Sequence, residues 1–156
     1  MNSLSMLASH YALVAGSGSA STILNAFDRA LQSAGVGNYN LVKVTSILPP
    51  LTKPGDFHKI PPGSVVFAAM ASMTSEQPGT IISAAIAIGL PRDRSLPGVI
   101  MEGNFFADKE TAERKVHQMA EVALKDRGYN EYDIESIAVS YSVKDCGAVI
   151  ALCLLW

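Results

Sequence analysis

The stretch that most constrains this chain is Asn40-Leu41-Val42-Lys43-Val44-Thr45-Ser46-Ile47-Leu48-Pro49-Pro50. Val42, Val44 and Ile47 favour an extended backbone, whereas Pro49 and Pro50 fix φ and remove two main-chain donors, so a strand running through this segment has to end at Leu48. The hydroxyl pair Thr45-Ser46 therefore lies at a strand end, held on both sides. Two readings are open: the hydroxyls cap a strand, or the Thr45–Ser46 peptide bond is itself a site of chemistry.

A chain of 156 residues is expected to form one domain that buries about two-thirds of its unfolded surface. Hydrophobic residues make up 49% but aromatics only 7%, so the core is expected to be aliphatic, as in packed sheets and sheet–helix contacts. A formal charge of -2 provides no concentrated basic face for nucleic acid, and small-molecule partners fit better. The N-terminal segment lacks a basic leader region and its apolar run is broken by His10, so neither a signal peptide nor a membrane span is expected. Cys146 and Cys153 differ in parity along a late strand-like run. They should face opposite sides and stay free, which suits a reducing cytoplasm. His10, His58 and His117 each lack a second ligand at metal spacing, and no metal site is expected.

Taken in order, Tyr11 to Ala15 reads as a first strand ended by a Gly16-Ser17-Gly18-Ser19 turn. A glycine-rich turn before a helix can cradle phosphate, but the third glycine of a dinucleotide fingerprint is missing, Ser21 standing there, and a plain strand-to-helix turn is the simpler reading. Thr22 to Ala34 has helical spacing, with Ile23, Leu24, Phe27, Ala30, Leu31 and Ala34 as its apolar stripe, Asp28 at the stripe's margin and Gly35 as the stop. Ser64 to Ser72 and Thr80 to Leu90 are apolar enough to be strands buried on both faces, with a buried helix open by pattern alone, and Gly98 to Gly103 is a short strand carrying Glu102 at its end. Asp108 should cap a second helix running to Arg127, with Ala112, Val116, Met119, Ala120 and Ala123 buried and Gly128 as its stop. Ile134 to Val143 and Ala148 to Leu155 read as strands joined in a closing hairpin. Two helices and about seven strands exclude a doubly wound sheet and fit an α+β fold, with helices packed on a pair of stacked sheets.

Four separated runs, Leu24-Asn25-Ala26-Phe27-Asp28, Gly35 to Val42, Val44 to Pro50 and Ile100-Met101-Glu102, together resemble the pyruvoyl-dependent arginine decarboxylases along nearly the whole chain. The resemblance implies a four-layer αββα sandwich of mainly antiparallel sheets, assembled as a homotrimer or a dimer of trimers. It also implies self-cleavage of a single domain, residues 1–156, into fragments 1–45 and 46–156, with Ser46 converted to a covalent pyruvoyl group that captures the amine of L-arginine. Catalytic roles would fall on Ser46, Glu102 and Asn40, cleavage on Thr45 and Ser46, and substrate contacts on Leu24, Asp28, Gly37, Tyr39 and Thr45. The product would be agmatine, with a place in polyamine biosynthesis. One departure is local: a tyrosine commonly follows the family's glutamate, and here Gly103-Asn104-Phe105-Phe106 follows.

The chemistry suits these residue types. Decarboxylating an α-amino acid leaves electrons on Cα, which a ketone conjugated to an amide carbonyl can accept. A planar guanidinium is best held by a carboxylate, which suits Asp28, and a proton donor must stay partly protonated near neutral pH, which burial beside Ile100 or Phe105 would favour at Glu102. The resemblance places Asn40 in the active centre, where its amide suits either a donor to the oxyanion on the Thr45 carbonyl or a ligand of the intermediate. Other readings are the same chemistry on another amino acid, or an uncleaved ligand-binding or oligomeric relative. Along a regular strand, Asn40 and Ser46 would be roughly 20 Å apart. With no glycine or proline between them to ease a bend, Asn40 and Asp28 are expected to meet Ser46 of a neighbouring copy.

Overall fold

Two strands without a solvent-facing side dictate the layering. The computed structural model describes residues 6–156, which form β1 (His10–Ala20), α1 (Ile23–Ser33), β2 (Asn40–Lys43), β3 (Ile47–Leu48), β4 (Lys53–Pro54), a 3-10 turn at Phe57–Lys59, β5 (Val65–Ser75), β6 (Ile81–Pro91), β7 (Gly98–Phe105), α2 (Lys109–Asp126), β8 (Tyr132–Ser142) and β9 (Cys146–Leu155). All of β9 and all of β6 beyond Ile81 are buried. Strands of unbroken Ala, Val, Ile and Leu need cover on both faces. Each obtains it from a helix on one side and the opposite sheet on the other.

The first sheet has the order β2-β5-β9-β1-β4 and the second β3-β7-β6-β8. Every pair in the second sheet is antiparallel, and the first adds parallel pairs only at its two edges. Tyr11, Ile82, Ile86, Ile100, Val149 and Cys153 fill the layer between the sheets. Ala26, Ala30, Ile150 and Leu152 pack α1 on the outer face of the first sheet, and Ala85, Ala87, Ala112 and Val116 pack α2 on the outer face of the second. The order is therefore helix, sheet, sheet, helix, an α+β sandwich of the expected kind. Across the central layer the Tyr11 hydroxyl donates to both oxygens of the Glu135 carboxylate at 3.1 and 3.2 Å. Burial, and then that carboxylate, push the phenol up to about 12.

Several expectations are corrected. Gly16 and Gly18 do not end the first strand; β1 runs on to Ala20, and the turn is Ser21-Thr22. The glycines are there because α1 crosses directly over them. A Cβ on Gly16 would lie 2.6 Å from the Ala34 nitrogen, and one on Gly18 would lie 2.5 Å from the Ala30 nitrogen. The phosphate-cradle reading loses its turn with this. The buried line of α1 is Ala26, Ala30 and Ala34, four residues apart, while Leu24 is 77% exposed and Ile23 also lies partly open. Only small side chains fit where a helix approaches a sheet this closely. On α2, Met119 is exposed and Leu124 is buried instead. β8 and β9 form no hairpin pair: β8 bonds to β6 and β9 to β1 and β5, so the turn at residues 143–145 carries the chain from one sheet to the other. The helix limits stand, with Thr22 and Asp108 as side-chain N-caps. Both cysteines are free and lie in different layers, Cys146 beneath α1 and Cys153 between the sheets.

Gly18→Ala should lower unfolding free energy by about 2 kcal/mol, because the added methyl displaces helix backbone and not a flexible side-chain tip. Denaturant unfolding measures it. An unchanged midpoint would show that α1 has room to spare over β1.

Candidate active site

The run from Asn40 to Leu48 is not one strand. β2 belongs to the first sheet and β3 to the second, so the chain changes sheets between Lys43 and Ile47 without a glycine or proline to help it. Two main-chain bonds make the bend. The Val44 N–H donates to the Ala68 carbonyl on β5 at 3.0 Å, and the Ser46 carbonyl accepts from the Ile100 N–H on β7 at 2.8 Å. The Thr45–Ser46 peptide bond thus spans the open seam between the sheets, anchored to one on each side. Beyond it, Ile47 and Leu48 pair with Val99 and Gly98, and Leu48 is almost wholly buried against Gly98, where any Cβ would meet the Gly89 carbonyl. The prolines then end β3, and the Thr52 hydroxyl donates to the Pro49 carbonyl to close the exit. A strand stop at Leu48 was the expectation, and its cause is the one expected.

Thr45 is exposed and Ser46 half-buried. Thr45, with Val44, Ile47 and Pro49, lines a cavity of about 670 Å³ whose other walls are Met6 to Ala8, Phe67, Leu155 and Trp156. Trp156 is held there by stacking on His10, with ring centres 5.7 Å apart, and by main-chain bonds to Ser9 and His10. The walls are apolar apart from Thr45, so polarity at this end comes from the threonine and its backbone.

Glu102 sits two residues past Ile100 on β7 and therefore shares its inward face. Its carboxyl is raised above the ordinary glutamate value by burial, with Lys43 drawing it partly back. Burial was the cause anticipated, and Ile100 shares the face of Glu102, but Phe105 does not, because it packs with Ala85, Ala87 and Val116 on the α2 side of the sheet. The Gly103-Asn104-Phe105 departure makes no loop, because β7 continues to Phe105. The Phe105 ring covers Gly103 so closely that a Cβ there would lie 2.6 Å from it, and Lys115 stands 4.9 Å over the same ring.

The remaining candidates lie elsewhere. Leu24 and Asp28 are one turn apart on the exposed face of α1, and the Asp28 carboxylate accepts a hydrogen bond from the Gln32 amide at 2.6 Å. The single ion pair among the described residues is Arg92–Glu131, so Asp28 is matched to no cation. Gly37 lies against Gln32, where a Cβ would be 2.8 Å from its Cγ. The Tyr39 hydroxyl donates to the carbonyls of Phe57 and Ile60, tying down the proline-rich loop. Asn40 opens β2 with one of its two side-chain N–H donors on the Gly63 carbonyl at 3.0 Å. Within one chain, Thr45, Ser46 and Glu102 gather at the seam, while Leu24, Asp28, Gly37 and Tyr39 belong to the other side of the first sheet, with α1 and the turn after it. Sequence reasoning passed over Phe67, Leu155, Trp156, Lys43 and the Ile100 amide. For Trp156 the signal was that it is the sole tryptophan; a backbone donor carries no sequence signal.

Among the described residues no group of three or more His, Cys, Asp or Glu side chains is placed to hold a metal ion, and no helix is long and apolar enough to cross a membrane. A pyruvoyl group needs a serine whose hydroxyl can reach the preceding carbonyl, in a peptide outside a closed ladder and beside open space. Thr45–Ser46 lies between residues bonded to the two sheets, with Thr45 lining the cavity.

The family profile for pyruvoyl-dependent arginine decarboxylase matches residues 10–156. The pyruvoyl-dependent arginine decarboxylase of Methanocaldococcus jannaschii is 44% identical over 144 residues, covering 92% of this chain and 87% of that one. Those of Methanococcus vannielii, at 40% over 92% of this chain and 88% of the relative, and Thermococcus sibiricus, at 37% over 85% of each, are similar as well. A four-layer sandwich with a hydroxyl pair across its seam and a half-buried glutamate on the adjoining strand thus coincides with a full-length match, and the chain belongs to the pyruvoyl-dependent arginine decarboxylase family.

Proposed function

We propose that this chain cleaves itself between Thr45 and Ser46 and then decarboxylates L-arginine to agmatine and carbon dioxide, at sites shared between copies of a closed trimer. The observation that carries the proposal is the anchoring of the Thr45–Ser46 peptide to both sheets, by Val44 on one side and Ser46 on the other. With both flanks fixed, the Ser46 hydroxyl meets the Thr45 carbonyl as an intramolecular nucleophile, and positioning alone contributes several kcal/mol toward attack. The fragments are residues 1–45 and 46–156. A pyruvoyl group at position 46 supplies the electron sink that arginine decarboxylation requires.

Around that group the chain's own residues divide the work. Glu102, whose carboxyl burial raises above the ordinary glutamate value, delivers the proton to the substrate carbon that has lost carbon dioxide. Asp28 takes the guanidinium, with Leu24 beside it against the aliphatic stem. Gly37 and Tyr39 shape the turn that presents them, and Asn40 completes the wall. Since α1 covers the far face of the first sheet, the Asp28 and Leu24 that serve one Ser46 come from a neighbour. The exposure of Leu24 and the lack of an ion pair at Asp28 among the described residues support this, because both are then completed by assembly and substrate. The two free thiols support a reducing cytoplasm, where agmatine enters polyamine synthesis.

Agmatine release from arginine tests the activity: wild type produces it, and Ser46→Ala remains one chain and produces none. Asp28→Asn should process normally and raise KM for arginine roughly tenfold or more, as expected for losing a charged hydrogen bond. An unchanged KM would remove arginine as the substrate this residue selects. Glu102→Gln should instead lose kcat by about a hundredfold or more. In wild type, kcat should fall as pH rises through the raised Glu102 value, because the acid form is lost there, and the Gln variant should lack that limb.

Sharing of the site is tested by mixing Asp28→Ala and Glu102→Gln proteins under conditions of proven subunit exchange. Activity should return in up to about a quarter of the sites, those drawing each residue from the intact copy. No recovery would place both residues on the same chain.

A further inference from the structure

Within the seam, the Ser46 carbonyl has one identified donor. The Ile100 N–H reaches its oxygen at 2.8 Å, and this bond is the last rung of the short ladder that pairs Ile47 with Val99 and Leu48 with Gly98. Val99 and Ile100 are both fully buried, so the donor side of the rung is shielded from water. The other main-chain anchor of the seam, from Val44 to Ala68, ends on a carbonyl acceptor and offers this oxygen nothing.

We infer that the Ile100 N–H is the group that makes the Ser46 α-proton removable, and so drives the elimination step of self-cleavage. The inference rests on the proposed cleavage at Thr45–Ser46. In that sequence the Ser46 Oγ adds to the Thr45 carbonyl, the Thr45 C–N bond breaks, and Thr45 becomes an ester on Ser46 with the Ser46 amine freed. A base then removes the Ser46 α-proton, its electron pair forms the Cα–Cβ double bond, the Cβ–Oγ bond breaks, and residues 1–45 leave as a carboxylate. Tautomerisation and attack by water release ammonia and leave the ketone, with no change that requires an oxidant. The demanding proton is the one on Cα, because the charge left behind must spread onto the Ser46 carbonyl oxygen. That is the oxygen Ile100 already holds, by a donor in place before the charge develops. The ladder explains why the donor does not drift: Leu48 locked on Gly98 keeps β3 in register with β7.

The decisive variant replaces Ile100 by its α-hydroxy acid, which keeps the side chain and removes only the N–H. Chain cleavage is followed by mass, with hydroxylamine present to trap the ester as a Thr45 hydroxamate and a fragment 46–156 bearing an ordinary serine amine. Wild type should pass through the ester without accumulating it. The variant should still form the ester, more slowly because one of the two anchors of the peptide is lost, but, once formed, clear it on the order of tenfold to a hundredfold more slowly than wild type. Equal clearance overturns the inference while leaving self-cleavage intact. A wild-type chain that never cleaves removes both. A second measurement needs no altered backbone: in Ser46→Ala, the coupling between the 15N of Ile100 and the carbonyl 13C of residue 46 across the hydrogen bond should be detectable, and its absence would equally overturn the assignment.

Discussion

Between Val44 and Ser46 the backbone passes from one sheet to the other, bonded to β5 before the passage and to β7 after it. Much of the surrounding structure serves that passage. The two sheets have to stack with β5 and β7 at the same open edge, and the aliphatic layer of Ile82, Ile86, Ile100 and Val149 sets their separation. The short strand β3 has to stop at once, which Pro49 and Pro50 enforce. A peptide bond placed this way is neither inside a ladder nor free in a loop. It is ordered without being protected, the condition under which a neighbouring hydroxyl can act on it.

The two acids assigned to the reaction are separated by environment as well as by position. Glu102 faces the central layer, where burial favours its neutral form, whereas Asp28 stands on the open face of α1 with only the Gln32 amide for a partner. One suits proton delivery and the other suits a guanidinium, and the division follows from which side of a sheet each occupies. The close seat of α1 on Gly16 and Gly18 bears on this too. By packing through alanines it leaves the larger side chains of its first turn, Ile23 and Leu24, exposed.

How much of this was legible in the sequence depends on which physical effect decides each feature. Caps and stops are local, and Thr22, Asp108, Gly128 and the paired prolines marked their boundaries correctly. The apolar run of β6 announced a strand covered on both faces, whereas β5, read the same way, is only partly buried, with Val65 and Thr74 exposed. What failed was decided by contact across the fold. Gly16 and Gly18 carry the local chemistry of a turn, yet they mark where a helix touches a strand. The turn at residues 143–145 resembles a hairpin and is a change of sheet. Thr45-Ser46 was recognisable as a strand end held on both sides, but the bend at that point was argued against from the lack of a glycine or proline, because the bonds that make it come from Ala68 and Ile100, far away in sequence. A main-chain donor has no residue type, so no reading of letters would find it.

The central claim concerns one covalent bond, and the mass of the purified protein under denaturing conditions tests it most directly. The expected result is two species, residues 1–45 ending in an ordinary carboxylate and residues 46–156 lighter than the serine-started fragment by the mass of ammonia, with a ketone that hydroxylamine modifies. One intact chain of 156 residues, or a second fragment carrying a free serine amine, would contradict it.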